Sequence, residues 1–537
     1  MTDNPRTLWL ATVPVALVIA PVLPGLYWAL SPAGDSAVWR ALWQEPQWPL
    51  ALQTTLTSAL LGSLLAAAGA AMLAMLIYPS ALWSRLQRHL AVLLSVPHAA
   101  FAVGLFFLLA PSGWLARALA PLMGWSSPPN WVSVQDPYGL SLALALAIKE
   151  SWFLLWMLMA LLGEQAVARQ MLVARSLGYG RLQIWRAVLW PQLLPRLAWP
   201  MAAVLAYGLS VVDMAIVLGP GTPPTLAVLV WRWLTDANPD QQALGGAASL
   251  VLLLLLVAAG GVACLAWQVY RHQRQRRLPK GQRRPHAPPA WLKLHVPMLG
   301  VGYLVVALLA LWSLAGPWFF PALWPQELTL TSWRSANWQP FWTTLWLATA
   351  ASMWCVAATL IWLEWGPQRY NAVLYLPLIV PALPLVAGQY AALLKLQLDG
   401  QAAGVLWSHL LMVLPYTLLT LVGAYRGFDA RLMTSARALG QGRFSACLRV
   451  KWPLLQRPIA AALAVGFAVS VAQYLPTLFA GGGRFATVTT EAVALSAGGN
   501  RRVLAVQALL QVALPLAAFA LAALWPHWNS RHRLGLR

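Results

Sequence analysis

The sequence predicts an all-α polytopic membrane protein with about twelve transmembrane helices, arranged as two parallel repeats of six. Three observations carry that prediction. Apolar runs of about 18 residues or more recur along the chain, each long enough to cross roughly 30 Å of hydrocarbon as a helix. One basic segment occurs twice, displaced by 262 residues with no gap. Basic residues also concentrate in alternate loops, as they do when cytoplasmic loops are positive. With 60% hydrophobic and only 9% charged residues over 537 positions, there is too little polar surface to cover a soluble core.

The first half places its spans near 8–30, 52–78, 90–110, 139–162, 198–219 and 245–270. The second places them near 297–320, 341–363, 372–394, 402–425, 459–480 and 503–525. Arg6 precedes the opening apolar run, which is long for a signal h-region and reads as an uncleaved span. Many of the 32 Trp, such as Trp39, Trp43, Trp48 and Trp324, sit at run ends, where an interfacial aromatic belt belongs. With both termini cytoplasmic, most of the 36 Lys and Arg fall inside. That distribution explains the net charge of +22 without nucleic acid. The repeats are therefore 1–270, with a cytoplasmic loop at 163–197, and 297–537, with a cytoplasmic loop at 426–458. A basic, Pro-rich linker at 271–296 joins them and is expected to stay solvated or lie on anionic headgroups. An even number of spans per half gives both the same orientation, hence a pseudo-twofold along the membrane normal.

The repeated segment is RQMLVARSLGYGRLQIWRAVLWP in the first half and RLMTSARALGQGRFSACLRVKWP in the second. It pairs Arg169 with Arg431, Ala174 with Ala436, Arg175 with Arg437 and Gly178 with Gly440. Gly180 pairs with Gly442, Arg181 with Arg443, and Trp190-Pro191 with Trp452-Pro453. Good helix formers run from Glu164 to Leu177, the two glycines break that helix, and Pro191 suits the first turn of the next. The expected product is helix, turn, short helix across the membrane face. Arg175, Arg181 and Arg186 would supply cations, and Leu182, Ile184 and Trp185 an apolar face. Such a segment can dock into a groove of a cytoplasmic partner or rest on headgroups. Duplication of uncharged positions, the glycines and Trp-Pro among them, favours docking.

At these residues the chain resembles permease subunits of ATP-binding-cassette importers. Their cytoplasmic loop carries EAA, three residues, Gly, nine residues, Ile, one residue, Leu-Pro. Here Ala174 and Gly178 fit, Val188 stands for Ile, and Trp190-Pro191 takes the Leu-Pro place. The second copy offers Ala436, Gly440, Val450 and Trp452-Pro453. The leading Glu is Leu172 in one copy and Thr434 in the other, and the next Ala is Val173 or Ser435. Two permease halves in one chain is the plan of the fused branch that includes thiamine and ferric-iron importers. The resemblance implies a type I importer fold in a bacterial inner (plasma) membrane. It also implies two copies of an ABC ATPase below and an extracytoplasmic substrate-binding protein outside. No phosphate-binding loop of the form G-x-x-x-x-G-K-[ST] occurs. ATP would therefore be used by the partner subunits, with no cofactor bound by this chain.

Four polar residues are candidates for the translocation path. Lys149 and Glu150 lie within one apolar span, where each costs roughly 2.5–3.5 kcal/mol unless partnered or wetted. They line a path or pair between helices. Asp213, matched to Gln473 at a displacement of 260, either faces the path or packs between spans. Glu364, near a cytoplasmic span end, is expected to be solvated. Cys264, Cys355 and Cys447 are scattered, and the eight His show no ligand spacing, so neither a metal site nor a catalytic constellation is indicated. A twelve-span secondary transporter, major-facilitator-like and driven by an ion gradient, is the alternative. It lacks the expected basic loop pattern after the second span, where YPSALWSRLQRHL stands.

Overall fold

A computed structural model describes residues 5–276, 297–378 and 380–529. Apart from a single bridge between Ala315 and Leu328, the described regular structure is helical. Most of the linker, 277–296, lies outside the described residues. Eight helices are long and apolar enough to cross a membrane, or ten when each of two bent pairs is one span. The difference from twelve apolar runs has a local cause. The run at 198–219 breaks at Val211 and Val212, and that at 459–480 breaks at Gln473 and Tyr474. Met298–Leu314 is apolar but short. Hydropathy averages over such breaks, so a continuous run need not be a continuous helix.

The N-terminal part contains α1 (Pro5–Ile19), α2 (Val22–Leu30), α3 (Trp48–Ile77), α4 (His98–Leu109) and α5 (Leu140–Leu162). The first repeated segment opens with α6 (Gln165–Ser176) and closes with α7 (Trp190–Arg196). It leads into α8 (Ala198–Ser210), α9 (Asp213–Leu218), α10 (Leu226–Leu234) and α11 (Pro239–Arg276). The C-terminal part continues with α12 (Pro297–Leu314), α13 (Gln339–Trp365), α14 (Ala382–Leu396) and α15 (Ala402–Arg426). After α16 (Ala430–Ala438) come α17 (Gln456–Ala472), α18 (Leu475–Gly481), α19 (Val488–Ser496) and α20 (Arg501–Asn529).

The central packing is α3 on α5 in one half, with α13, α15 and α17 together in the other. The leading helices cross over. α2 packs on α14, and α12 packs on α4. Glycines permit both crossings. A Cβ on Gly25 would meet the carbonyl oxygen of Gly388 at 1.9 Å, and one on Gly104 would meet Val305 Cγ1 at 2.3 Å. Small residues at such contacts let helix backbones approach where lipid gives no hydrophobic drive. Trp407 Nε1 adds a 3.2 Å bond to the Val18 carbonyl.

The two halves also share a smaller device. The first amide of α10, Leu226 N, donates to Thr55 Oγ1 on α3 at 2.7 Å. The first amide of α19, Val488 N, donates to Thr344 Oγ1 on α13 at 2.9 Å. Helix starts have unpaired amides, and in each half a threonine of the long helix takes one.

Candidate functional site: two basic segments and a buried polar cluster

Both copies of the repeated segment have one local conformation. Each opening helix ends in a Schellman turn. In the first, Gly178 N donates to Arg175 O at 2.9 Å and Tyr179 N to Ala174 O at 3.1 Å. In the second, Gly440 N donates to Arg437 O at 3.0 Å and Gln441 N to Ala436 O at 3.2 Å. Gly178 and Gly440 have φ of +82° and +85°, the left-handed region that glycine enters freely. Gly180 and Gly442 have ordinary φ of −68° and −64° and precede the next short helix. Only the first glycine of each pair makes the left-handed turn.

Arg181–Ile184 and Arg443–Ala446 follow as short helices, then π-helical turns over Trp185–Leu189 and Cys447–Lys451. Each π turn ends immediately before Trp-Pro. Pro191 and Pro453 sit in the first turn of the following helix, where a missing N–H costs nothing. In the second copy the chain then bends by 81° into α17, so the segment lies across the span it feeds.

The arginine after the second glycine turns back onto the bundle in both copies. Arg181 Nη2 donates to Tyr78 O, beyond the end of α3, at 2.7 Å. Arg443 Nη2 donates to Glu364 O, near the end of α13, also at 2.7 Å. These carbonyls are the orphans of helix C-termini, natural acceptors for a cation. Arg181 is thus half-buried and holds the segment instead of presenting a free charge. Ile184 and Trp185, expected on an exposed apolar face, are 1% and 0% exposed. Exposed apolar side chains lie earlier in the first copy, at Leu172, Val173 and Leu177; the second copy exposes Leu432 and Leu439 before its glycine turn and also Phe444 and Leu448 after it. Arg169, Arg175, Arg431 and Arg437 are exposed beside them, whereas Ala174 and Ala436 are buried. An Ala there lets the opening helix lie close to the bundle. Glu364, expected to be solvated, has a side chain only 8% exposed.

The intramembrane candidates separate in the structure. Lys149 Nζ donates to Leu93 O at 3.2 Å and lies 5.2 Å from the Trp152 ring. Its neighbour Glu150 points elsewhere, with Oε1 2.9 Å from His98 Nε2. The His98 ring packs 4.5 Å from that of Tyr207. Tyr207 is within hydrogen-bonding reach of Asp213, which also lies near His98. From the other half, Tyr416 stands near Glu150 and Tyr474 near Asp213. Glu150, His98, Tyr207 and Asp213 therefore form one cluster with tyrosines facing it from the C-terminal half. Sequence reasoning found its carboxylates. It missed His98 and the tyrosines, because an aromatic residue in an apolar run carries no contrast.

Asp213 opens α9, while Gln473 falls in the break before α18. By helix start, the displacement of 262 continues through this region and sets Asp213 opposite Leu475. Gln473 is half-buried and its carbonyl accepts from Thr477 Oγ1 at 3.0 Å. Thr477 Oγ1 in turn lies 2.8 Å from His409 Nε2, whose Nδ1 is 2.7 Å from Ser470 Oγ. Among the described residues no group of three or more His, Cys, Asp or Glu is placed to hold a metal ion.

No family model matches the chain. It is 42% identical to the inner membrane ABC transporter permease protein YnjC of Escherichia coli (strain K12) over 532 residues, 97% of each chain. It is 26% identical to the thiamine transport system permease protein ThiP of the same organism over 500 residues, covering 86% of this chain and 85% of that one. ThiP of Salmonella typhimurium is likewise 26% identical, over 490 residues.

Proposed function

Because this chain belongs to the inner-membrane ABC transporter permeases, we propose that it forms the translocation pathway of an import system, driven by separate ATPase subunits. Family membership decides against the major-facilitator alternative and makes the chain a permease subunit without an ATPase domain. On this reading the short and broken apolar stretches complete twelve spans in two parallel halves. The segments at 163–197 and 426–458, together with both termini, face the cytoplasm. Each segment receives one of two ATPase copies, and a substrate-binding protein delivers cargo to the opposite face.

The observation that carries the proposal is the shared geometry of the two segments. Each has an exposed leucine and arginine, Leu177 with Arg175 and Leu439 with Arg437, at a glycine turn. Each is held to the bundle by an inward arginine. A charged and apolar projection on a fixed base suits insertion into a groove. A rigid dock also transmits motion, so ATP-driven approach of the two ATPases would shift the halves between inward-open and outward-open states.

The path reading rests on the cluster of Glu150 and Asp213 with His98 and Tyr207, because these groups meet where the two halves face each other. Lys149 is tied to a backbone carbonyl and acts as an anchor beside the path. Gln473 flanks the path from the C-terminal half. The test is assembly. Co-expressed with its ATPase, the chain should purify with two ATPase copies by native mass spectrometry. Alone, it should hydrolyse no ATP. Specific ATPase activity in the isolated chain, or a complex that never holds ATPase, contradicts the proposal.

A further inference from the structure

The two segments are alike in backbone but unlike in what holds them. At the second, Glu364 collects four hydrogen bonds. Its Oε2 accepts from Tyr425 Oη at 2.6 Å and from Lys451 Nζ at 2.7 Å. Its Oε1 accepts from Arg443 Nε at 3.2 Å, and its backbone oxygen from Arg443 Nη2 at 2.7 Å. Lys451 Nζ also lies 3.7 Å from the centre of the Tyr425 ring. The side chains of Glu364 and Lys451 are only 8% and 12% exposed. One carboxylate thus joins the end of α13, the end of α15, the start of the short helix and the last residue of the π turn.

Among the described residues the first segment has no buried carboxylate of this kind; its ion pair, Glu164 with Arg196, is exposed and joins the two ends of the segment. Arg181 binds Tyr78 O, and the position of Lys451 is taken by Leu189 and that of Cys447 by Trp185. Trp185 packs against Tyr78 at 6.4 Å and Trp190 at 5.2 Å. Tyr78 Oη donates to Leu162 O at 3.0 Å. This latch pairs one arginine with a backbone carbonyl and aromatic packing, without a carboxylate.

We propose that Glu364 is the positioning residue of the second coupling segment, a buried ionic latch that fixes its angle for docking, while the first segment is held by the Arg181 bond to a backbone carbonyl and by aromatic packing, with no buried carboxylate at that place. The two halves are therefore unequal levers, and loss of the carboxylate disables one of them. The proposal rests on the docking function above. Glu364 touches neither ATP nor cargo and acts through the segment. Removing one partner of a buried ion pair leaves the other charge unpaired, whereas removing both can be nearly neutral. That asymmetry distinguishes a latch from a general packing role.

The test uses the full chain assembled with its ATPase in lipid nanodiscs, with Mg-ATP as probe. Glu364→Gln strands the buried Lys451, and Lys451→Leu leaves Glu364 paired with the exposed Arg443 alone, so each should lower kcat for ATP hydrolysis about tenfold or more. KM for ATP should stay unchanged and two ATPase copies should remain bound. Glu364→Asp, which keeps the charge, should recover activity, and the double variant Glu364→Gln/Lys451→Leu should be less impaired than either single. Hydrogen exchange should rise over 436–451 and stay unaltered over 174–189. Wild-type kcat in Glu364→Gln overturns the latch. So does a uniform loss of folded bundle in all four variants, or a double variant worse than both singles. A parallel arm with Gly440→Val separates the two levels. If Gly440→Val is impaired and Glu364→Gln is normal, the latch alone fails. If Gly440→Val also keeps full activity and both ATPases, docking itself fails.

Discussion

Replacing Gly440 gives a graded prediction, because the structure isolates the cause. Gly440 has φ of +85°, and a Cβ built there meets nothing within 4 Å. The cost of a side chain is therefore backbone strain, with no steric clash. For an L-residue the left-handed region costs about 1–2 kcal/mol, equivalent to a shift of about 5–30-fold in the turn's equilibrium. Asn tolerates this region best among the alternatives and a β-branched residue worst. The expected order of ATPase retention is thus Gly, Asn, Ala, Val, with the same order for the Gly178 series. Gly442, two residues on, has φ of −64° and open space around it, so Gly442→Ala should behave as wild type. The assay is co-purified ATPase per chain together with ATP hydrolysis, and thermal melting of the solubilised bundle serves as control. The melting point should hardly move, because the strain is confined to an exposed turn. If Asn is as damaging as Val, or Gly442→Ala as damaging as Gly440→Ala, the left-handed turn is not what matters.

Other expectations follow from single contacts. Asp136 accepts from the amides of Tyr138, Leu140 and Ser141 and from the Ser141 hydroxyl. Burial raises its carboxyl, but these donors outweigh it and hold the group below the ordinary range. Its contribution to stability should be full above the ordinary carboxylate pKa and fade as pH falls through the depressed one. Thermal melts of wild type and Asp136→Asn should therefore converge in acid; a gap that widens there refutes the assignment. Thr55→Val and Thr344→Val each strand a helix-start amide and should cost about 1–3 kcal/mol, read as lower resistance to denaturation in detergent. Glu150→Gln and Asp213→Asn should leave ATPase binding intact while impairing transport, measured with whatever ligand the binding protein carries when purified. Normal transport in both variants removes the cluster from the path.

Much of this was legible in the sequence, and the failures have physical causes. The two segments, their boundary glycines and the Trp-Pro helix starts are visible because they are repeated in register and punctuate the backbone. Which glycine turns left-handed is not visible, since two glycines two residues apart compete for one turn and the hydrogen bonds decide. The exposed face was misread for a related reason. Helical spacing makes Leu182, Ile184 and Trp185 look like a surface stripe, yet with Arg181 turned inward Ile184 and Trp185 are buried against the bundle and Leu182 is half-buried. Glu364 looks solvated when read as a charge at a span end, because Tyr425, Arg443 and Lys451 are 61, 79 and 87 residues away in sequence. The twelve-run hydropathy profile overlooks the breaks at 211–212 and 473–474, because Val211 and Val212 stay apolar while the helix stops and the single Gln473 is averaged out by its apolar neighbours.

The central claim is that the exposed tips of the two segments enter the ATPase subunits. The direct measurement is photo-crosslinking from single positions in the assembled transporter. A photoreactive residue at Leu177, 51% exposed, or at Leu439, 84% exposed, should capture the ATPase from each half. The same probe at Ile184 or Ala446, 1% and 0% exposed, should crosslink only within the chain. Capture of the ATPase from both tips and from neither inward position is the predicted result. ATPase capture from the inward positions, or from neither tip in a complex that still holds ATPase, contradicts the account.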